Sequence, residues 1–195
     1  MNPDRGYRKA KLPDNARRVF EGKIFDVYQW EQKLYDGSTA TFEKITRPDT
    51  AGIIPVLPDG RILLIEDSQP QRETILTIPT GKVDEGETPA DTVRRELLEE
   101  TGYAVDSIEQ IFERQVTGKL DWNVYTFVGR GAKKVQEAEP EPGEKIVPRI
   151  VTFEEFLELA SEPKQKVLRD DTDNIVLRAK ADPTEMEALK KLLFG

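Results

Sequence analysis

The chain opens polar, turns strand-like, and takes up a clear helical spacing only near residue 88. From about Arg18 to Ile45 aromatic and β-branched residues recur, and the run turns once, at Asp36-Gly37 between YQWEQKLY and STATFEKI. Glycine accepts the positive φ that a tight hairpin turn needs, so these residues predict a β-hairpin. AGIIPVL and RILLIED, either side of Pro58-Asp59-Gly60, predict a second hairpin, and a strand from Glu73 to Ile78 closes at Pro79. A helix is predicted over Pro89–Thr101: Thr88 serves as N-cap, Pro89 suits the first helical position, Asp91 completes a capping box, and Gly102 supplies the left-handed cap. Strands follow at Ser107–Val116 and Trp122–Val128, then an acidic loop over Lys133–Glu144 and a strand at Ile146–Thr152. Helices are expected at Phe153–Ser161, around Asp171–Lys180, and at Pro183–Phe194 behind an Asp182 cap. Residues 1–16 are expected to fray or drape over the domain. There are no repeats, and the order of elements implies an α+β or α/β sandwich.

Composition narrows the chemistry. The chain has 195 residues, with no cysteine and no histidine. Disulfides, thiolate nucleophiles, imidazole bases and His or Cys metal ligands are therefore excluded, and proton transfer or metal binding falls to carboxylates, Lys and Tyr. No apolar run reaches the roughly 18 residues of a membrane span, and the N-terminus lacks the apolar centre of a signal peptide. With 29 basic and 37 acidic residues, the formal charge of -8 argues against nucleic acid or anionic lipid as a partner. A cytoplasmic protein is expected.

Candidate chemistry gathers on the first helix. At ~100° per residue, Glu96, Glu99 and Glu100 fall within an arc of roughly 100°, beside an apolar stripe of Ala90, Val93 and Leu97. The three carboxylates thus line the edge of a packed face. Neighbours about 5–6 Å apart repel by roughly 1–3 kcal/mol per pair, which either open water or a hard divalent cation relieves. A solvated acidic face is the plain reading of such spacing in a protein this charged. The preceding loop, Gly81-Lys82-Val83-Asp84-Glu85-Gly86-Glu87, shifts the balance. Together Gly81, Glu87, Arg95, Glu96, Leu97, Glu99, Glu100 and Gly102 stand in the order G-x5-E-x7-R-E-U-x-E-E-x-G, where U is aliphatic.

This order resembles the signature box of the Nudix hydrolases, and the likeness extends from about Arg18 to Phe194. The resemblance implies a Nudix-type α/β/α sandwich with a mixed sheet, plus an N-terminal antiparallel β-hairpin subdomain over 1–47 ahead of a hydrolase domain over 48–195. It implies Mg²⁺-dependent hydrolysis of a nucleoside diphosphate derivative, with Mn²⁺ as a substitute ion. Carried over, Glu96 and Glu100 match the principal metal ligands, Glu99 a ligand or near neighbour, and the carbonyl of Thr80 another ligand position. Glu87 matches a position that binds metal in some members and pairs with the box arginine in others; Arg95 matches that arginine, which orients the carboxylates. The general base is expected among Glu137, Glu139, Glu141 and Glu144, position favouring Glu144, with Glu99 as the alternative. Tyr103, where an aliphatic residue is usual, departs from the pattern in packing only.

The extra N-terminal hairpin is similar to that of the ADP-ribose and nucleoside-diphosphate-sugar branch, which implies a homodimer built through it. Tyr28 and Trp30 on the hairpin are candidates to stack on a base, packing being the competing role. Departures from the branch are specific: Asp67-Ser68-Gln69-Pro70 and Thr77-Ile78-Pro79-Thr80-Gly81 lack its usual arginine and glutamate, Arg72 being a candidate replacement, and Gly118 and Lys119 stand where many members have proline. Trp122 and Asn123 are candidates for ligand contact or for the strand core. Other phosphoanhydride substrates, such as a nucleoside triphosphate or dinucleoside polyphosphate, stay open on the sequence, as does a non-catalytic binding module on the same fold.

Overall fold

The computed structural model describes residues 11–116, 118–162, 167 and 171–195, the side chains of 171–173 excepted. The expectation for residues 1–10 lies outside the described residues. Three strands begin the chain, β1 (Arg17–Glu21), β2 (Asp26–Lys33) and β3 (Thr39–Thr46), paired antiparallel as a meander. The hairpin at Asp36-Gly37 forms as expected, with Gly37 at φ 87°. The expected single turn is corrected to two. The chain also reverses between β1 and β2, where Gly22 N–H donates to Phe25 O at 2.9 Å and to Asp26 Oδ1 at 3.3 Å. A lone glycine in a strand-like run carries little turn signal. Here a Cβ would lie 2.6 Å from Phe25 O, so the reversal depends on its absence.

The second hairpin comprises β4 (Thr50–Val56) and β5 (Ile62–Ser68). The strand expected over Glu73–Ile78 is shorter, β6 (Ile75–Thr77) on β5, and beyond Pro79 a further strand, β7 (Thr80–Lys82), pairs with β4 where a loop was expected. Proline has no N–H for a ladder, so the chain changes partner across it. Next come α1 (Pro89–Thr101), the short β8 (Tyr103–Ala104), β9 (Ser107–Val116), β10 (Leu120–Arg130), the short β11 (Lys133–Lys134) on β8, β12 (Lys145–Val151) on β5, and the helices α2 (Phe153–Ser161), α3 (Asp171–Ala181) and α4 (Pro183–Phe194).

Strand β10 ties the architecture together. Its start runs parallel to β3 at Ile45 and Thr46, its remainder runs parallel to β4, and β9 lies antiparallel along its other edge. The meander is thereby continuous with a mixed sheet. Side chains alternate across the sheet and fill two cores. On one face Ala51, Ile53, Leu63, Tyr125 and Phe127 pack against Val83 and against Val93 and Leu97 of α1. On the other, Ile54, Ile62, Leu64 and Val128 pack against Phe156, Val176, Leu189 and Leu193 of the three late helices. The result is an α/β/α sandwich. No helix among the described residues is long and apolar enough to cross a membrane.

Local signals place α1. Thr88 Oγ1 accepts from Asp91 N–H, the Asp91 carboxylate accepts from Thr88 N–H, and Gly102 caps the helix at φ 73°. The cap also fixes the path of the acidic loop. Gly102 O accepts N–H groups of Val135 at 2.9 Å and Gln136 at 3.2 Å, and Glu99 O accepts that of Glu139 at 2.7 Å. The carbonyls left over at a helix end are thus satisfied by this loop, which is drawn over the end of α1. A Cβ on residue 102 would meet Gln136 O at 2.2 Å.

Candidate active site

Helix α1 carries its carboxylates into two different environments. On the outer side, Arg95 is the hub: Nε and Nη2 donate to both oxygens of Glu87 at 2.8 and 3.1 Å, and Nη1 donates to Glu96 at 2.8 Å and Glu99 at 3.0 Å. Glu87 also accepts from Thr92 Oγ1 at 2.9 Å. This two-pronged bond to a guanidinium holds the Glu87 carboxyl down at about 2, and Arg95 retains its own proton more tightly than usual. Of the two matches open to Glu87, the pairing with the arginine is the one formed here. Glu99 keeps much of its side chain in solvent.

The inner side is dominated by burial. Glu100 is 5% exposed, and its Oε2 accepts the N–H of Thr80 at 3.3 Å. Burial above all, then the charges of Glu96, Glu144 and Asp67, push its carboxyl up to about 9. Glu96 is raised by burial too, with Arg95 opposing. Its carboxylate lies against the backbone of Gly81, where a Cβ would come 1.7 Å from Oε1, so a side chain there would push the carboxylate aside. Among the four loop acids only Glu144 joins this group, since β12 begins beside the end of β5 and Gln69 Nε2 donates to Glu144 Oε1 at 3.1 Å. Burial, followed by Asp67 and Glu141, raises its carboxyl. Glu137 instead pairs with Lys134.

Sequence reasoning missed Asp67 as a member. It is 9% exposed, its Oδ2 bound by Arg72, so that the candidate substrate arginine is brought to the edge of the acid group. The signal was the alternation of β5: Leu63, Ile65 and Asp67 fall on one face, the face of α1. Among the described residues no three acids are gathered tightly enough to hold one ion between them in this arrangement, two guanidinium groups instead lying on Glu96, Glu99 and Asp67. The donor set nonetheless fits a hard divalent cation. It is all carboxylate, two of its members are nearly buried, and an oxygen of Asp67 is buried without a hydrogen-bond partner.

A groove lies on the other side of β7, lined by Thr50, Gly52, Ile78, Thr80, Trp122 and Val124 among others. Thr80 contributes to both, its N–H to Glu100 and its side chain to the groove. Trp122 Nε1 donates to Thr50 Oγ1 at 2.9 Å, and the Arg47 guanidinium stacks 4.5 Å from the indole centroid. Tyr28 and Trp30 do not line this groove. Tyr28 is buried in the meander, and Trp30 leans on Phe42 at 6.1 Å while its Nε1 donates to Gln32.

Comparison with known proteins agrees with this fold. Residues 46–171 match the NUDIX domain model. The chain is 30% identical over 145 residues to an ADP-ribose pyrophosphatase of Bacillus subtilis (strain 168), covering 73% of this chain and 78% of that one. It is 27% identical over 152 residues to a methanol dehydrogenase activator of Bacillus methanolicus, covering 76% and 82%. A crystal structure of an ADP compounds hydrolase superposes with a TM-score of 0.69 over 93% of this chain and 98% of that chain, at 17% identity, a likeness of fold. The chain belongs to the Nudix family and is a Nudix hydrolase.

Proposed function

We propose that the protein hydrolyses the pyrophosphate bond of a nucleoside diphosphate derivative, ADP-ribose or a related sugar nucleotide being the preferred substrate, to give a nucleoside monophosphate and a sugar phosphate. The observation that carries this reading is the group of Glu96, Glu100, Glu144 and Asp67, two of them buried, whose mutual repulsion a bound cation would relieve without protonating them. Glu96 and Glu100, with Glu99 and the carbonyl of Thr80, are the residues that would hold Mg²⁺, or Mn²⁺ in its place, while Glu87 stays with Arg95. Bound there, the cation supplies neutralisation of phosphate charge and acidity to the attacking water. Glu144 accepts the proton of that water. Its raised affinity for a proton and its anchoring by Gln69 favour it over Glu99, which Arg95 engages. Arg95 orients the carboxylates, and Arg72, held by Asp67 at the edge of the acids, meets a phosphate oxygen. The groove beside Thr80, with Trp122 and Arg47 at its rim, suits a base or ribose.

Residues 1–47 form the dimerisation element, and 48–195 the hydrolase domain, of a cytoplasmic homodimer. Supporting this, Val19, Phe20, Ile24, Phe25, Phe42 and Ile45 of the meander and its turn are all exposed in the single chain, Phe20 at 57%. Phe20→Glu is expected to convert a dimer to a monomer by light scattering; an unchanged mass would reject this interface. The reaction is tested by a substrate panel with Mg²⁺. AMP release from ADP-ribose is expected, and preference for a triphosphate or dinucleoside polyphosphate would redirect the assignment. Tight binding with no hydrolysis of any phosphoanhydride would refute it.

A further inference from the structure

Asp67 is not part of the glutamate motif on α1, yet the sheet delivers it to the same place. In the β5–β12 ladder Asp67 faces Ile146 and Ser68 faces Lys145, so the next position, Glu144, falls on the same face as Asp67 and Gln69. The hydrogen bond from Gln69 to Glu144 realises that register. Arg72 reaches Asp67 from the turn beyond β5 but takes only Oδ2. The second oxygen, Oδ1, is buried and makes no hydrogen bond. If Asp67 served only to anchor Arg72, that oxygen would be desolvated with nothing to offset the loss of its water.

We infer that Asp67 is a further ligand of the divalent cation, its Oδ1 donated from the sheet to the ion that Glu96 and Glu100 hold from the helix. The inference rests on the cation-binding reading given above. It makes the site a junction of two elements, so that the ion links α1 to the β5–β12 edge. Arg72 then competes for Asp67 when the ion is absent.

The test is binding of Mn²⁺ alone to the full-length protein, followed by electron paramagnetic resonance without substrate. Asp67→Asn preserves shape and is expected to weaken Mn²⁺ binding about 10- to 100-fold, the scale on which metal sites respond to loss of a supporting group. Affinity within threefold of the wild type would overturn the inference. Should Asp67→Asn fail to fold, Asp67→Cys provides a second route, because the chain has no other cysteine. Cd²⁺ added to that variant is expected to produce the ultraviolet band of a metal-bound thiolate. Saturating Cd²⁺ without the band would equally overturn the inference. A wild-type protein that binds Mn²⁺ but cleaves no phosphoanhydride defeats the proposed reaction alone. Normal cleavage with undiminished Mn²⁺ binding in Asp67→Asn defeats the present inference alone.

Discussion

Glu87 and Glu100 are the same residue type at opposite ends of one motif, and their protons behave in opposite ways. Glu87 lies in the outer region, gripped on both oxygens by Arg95, and stays ionised down to about 2. Glu100 lies in the inner region with a single backbone N–H as donor and acids on its other sides, and is pushed up to about 9. Pairing with a fixed cation decides the first; burial without one decides the second. Arg95 neutralises the outer region from within the chain, whereas in the inner region Arg72 meets one oxygen of Asp67 and Glu100 has no cation beside it among the described residues. Environments this divergent give two chemically identical side chains opposite proton affinities at neutral pH.

The sharpest way to break this comparison is Glu100→Gln, which keeps volume and removes charge. Turnover is expected to fall by orders of magnitude with an unchanged circular dichroism spectrum; wild-type turnover would remove Glu100 from the chemistry. Gly81→Ala is the next largest change, since the new Cβ must displace the Glu96 carboxylate. A loss of activity of about 10- to 100-fold is expected, on the scale of misplacing a group by an ångström. Trp122→Ala tests the groove, with an expected rise in KM of about tenfold and little change in kcat, as befits a contact worth ~1.4 kcal/mol made equally throughout the reaction.

Stability against pH separates the two regions directly. Glu100 has a folded value near 9 against 4.5 ordinarily, so its contribution is full below 4.5 and is lost as pH rises toward 9. Glu87, held near 2, contributes fully above 4.5 and loses that contribution as pH falls toward 2. In the presence of EDTA, thermal melts are therefore expected to weaken on both limbs. Glu100→Gln flattens the alkaline limb and Glu87→Gln the acid limb, and added Mg²⁺ raises the alkaline limb of the wild type only. An alkaline limb identical in Glu100→Gln and wild type would show that burial is not what governs Glu100. The smallest effect expected is that of Glu87→Gln at neutral pH, about 1–2 kcal/mol, or a few degrees in Tm.

Part of this site was legible from spacing alone. Thr88, Asp91, Pro89 and Gly102 mark the ends of α1 through interactions within a few residues, and the helical period sets Glu96, Glu99 and Glu100 within one arc, though only the fold decides that Glu100 is buried and Glu99 is not. The hairpin at Asp36-Gly37 was legible for the same reason. The turn at Gly22 and the splitting of one strand at Pro79 were not, because each depends on a partner elsewhere, Asp26 for one and β4 for the other. The acidic loop shows the boundary well. Four glutamates there look alike in sequence, and only the register of β12 on β5 brings Glu144 rather than Glu137 to the acids.

Residue identity and spacing exclude thiolate and imidazole chemistry and lay an all-carboxylate motif at helical period, with a glycine where Glu96 meets the backbone of residue 81; the resemblance of that motif to the Nudix box supplies the reaction class. Which carboxylates are satisfied and which are not is a property of the folded chain only. Charge compensation is a matter of distance and burial, and these are set by strand pairings that bring Asp67 beside Glu144 and draw the loop over the end of α1. Local rules fix which groups are present, and long-range packing fixes the dielectric and the neighbours that give each its role.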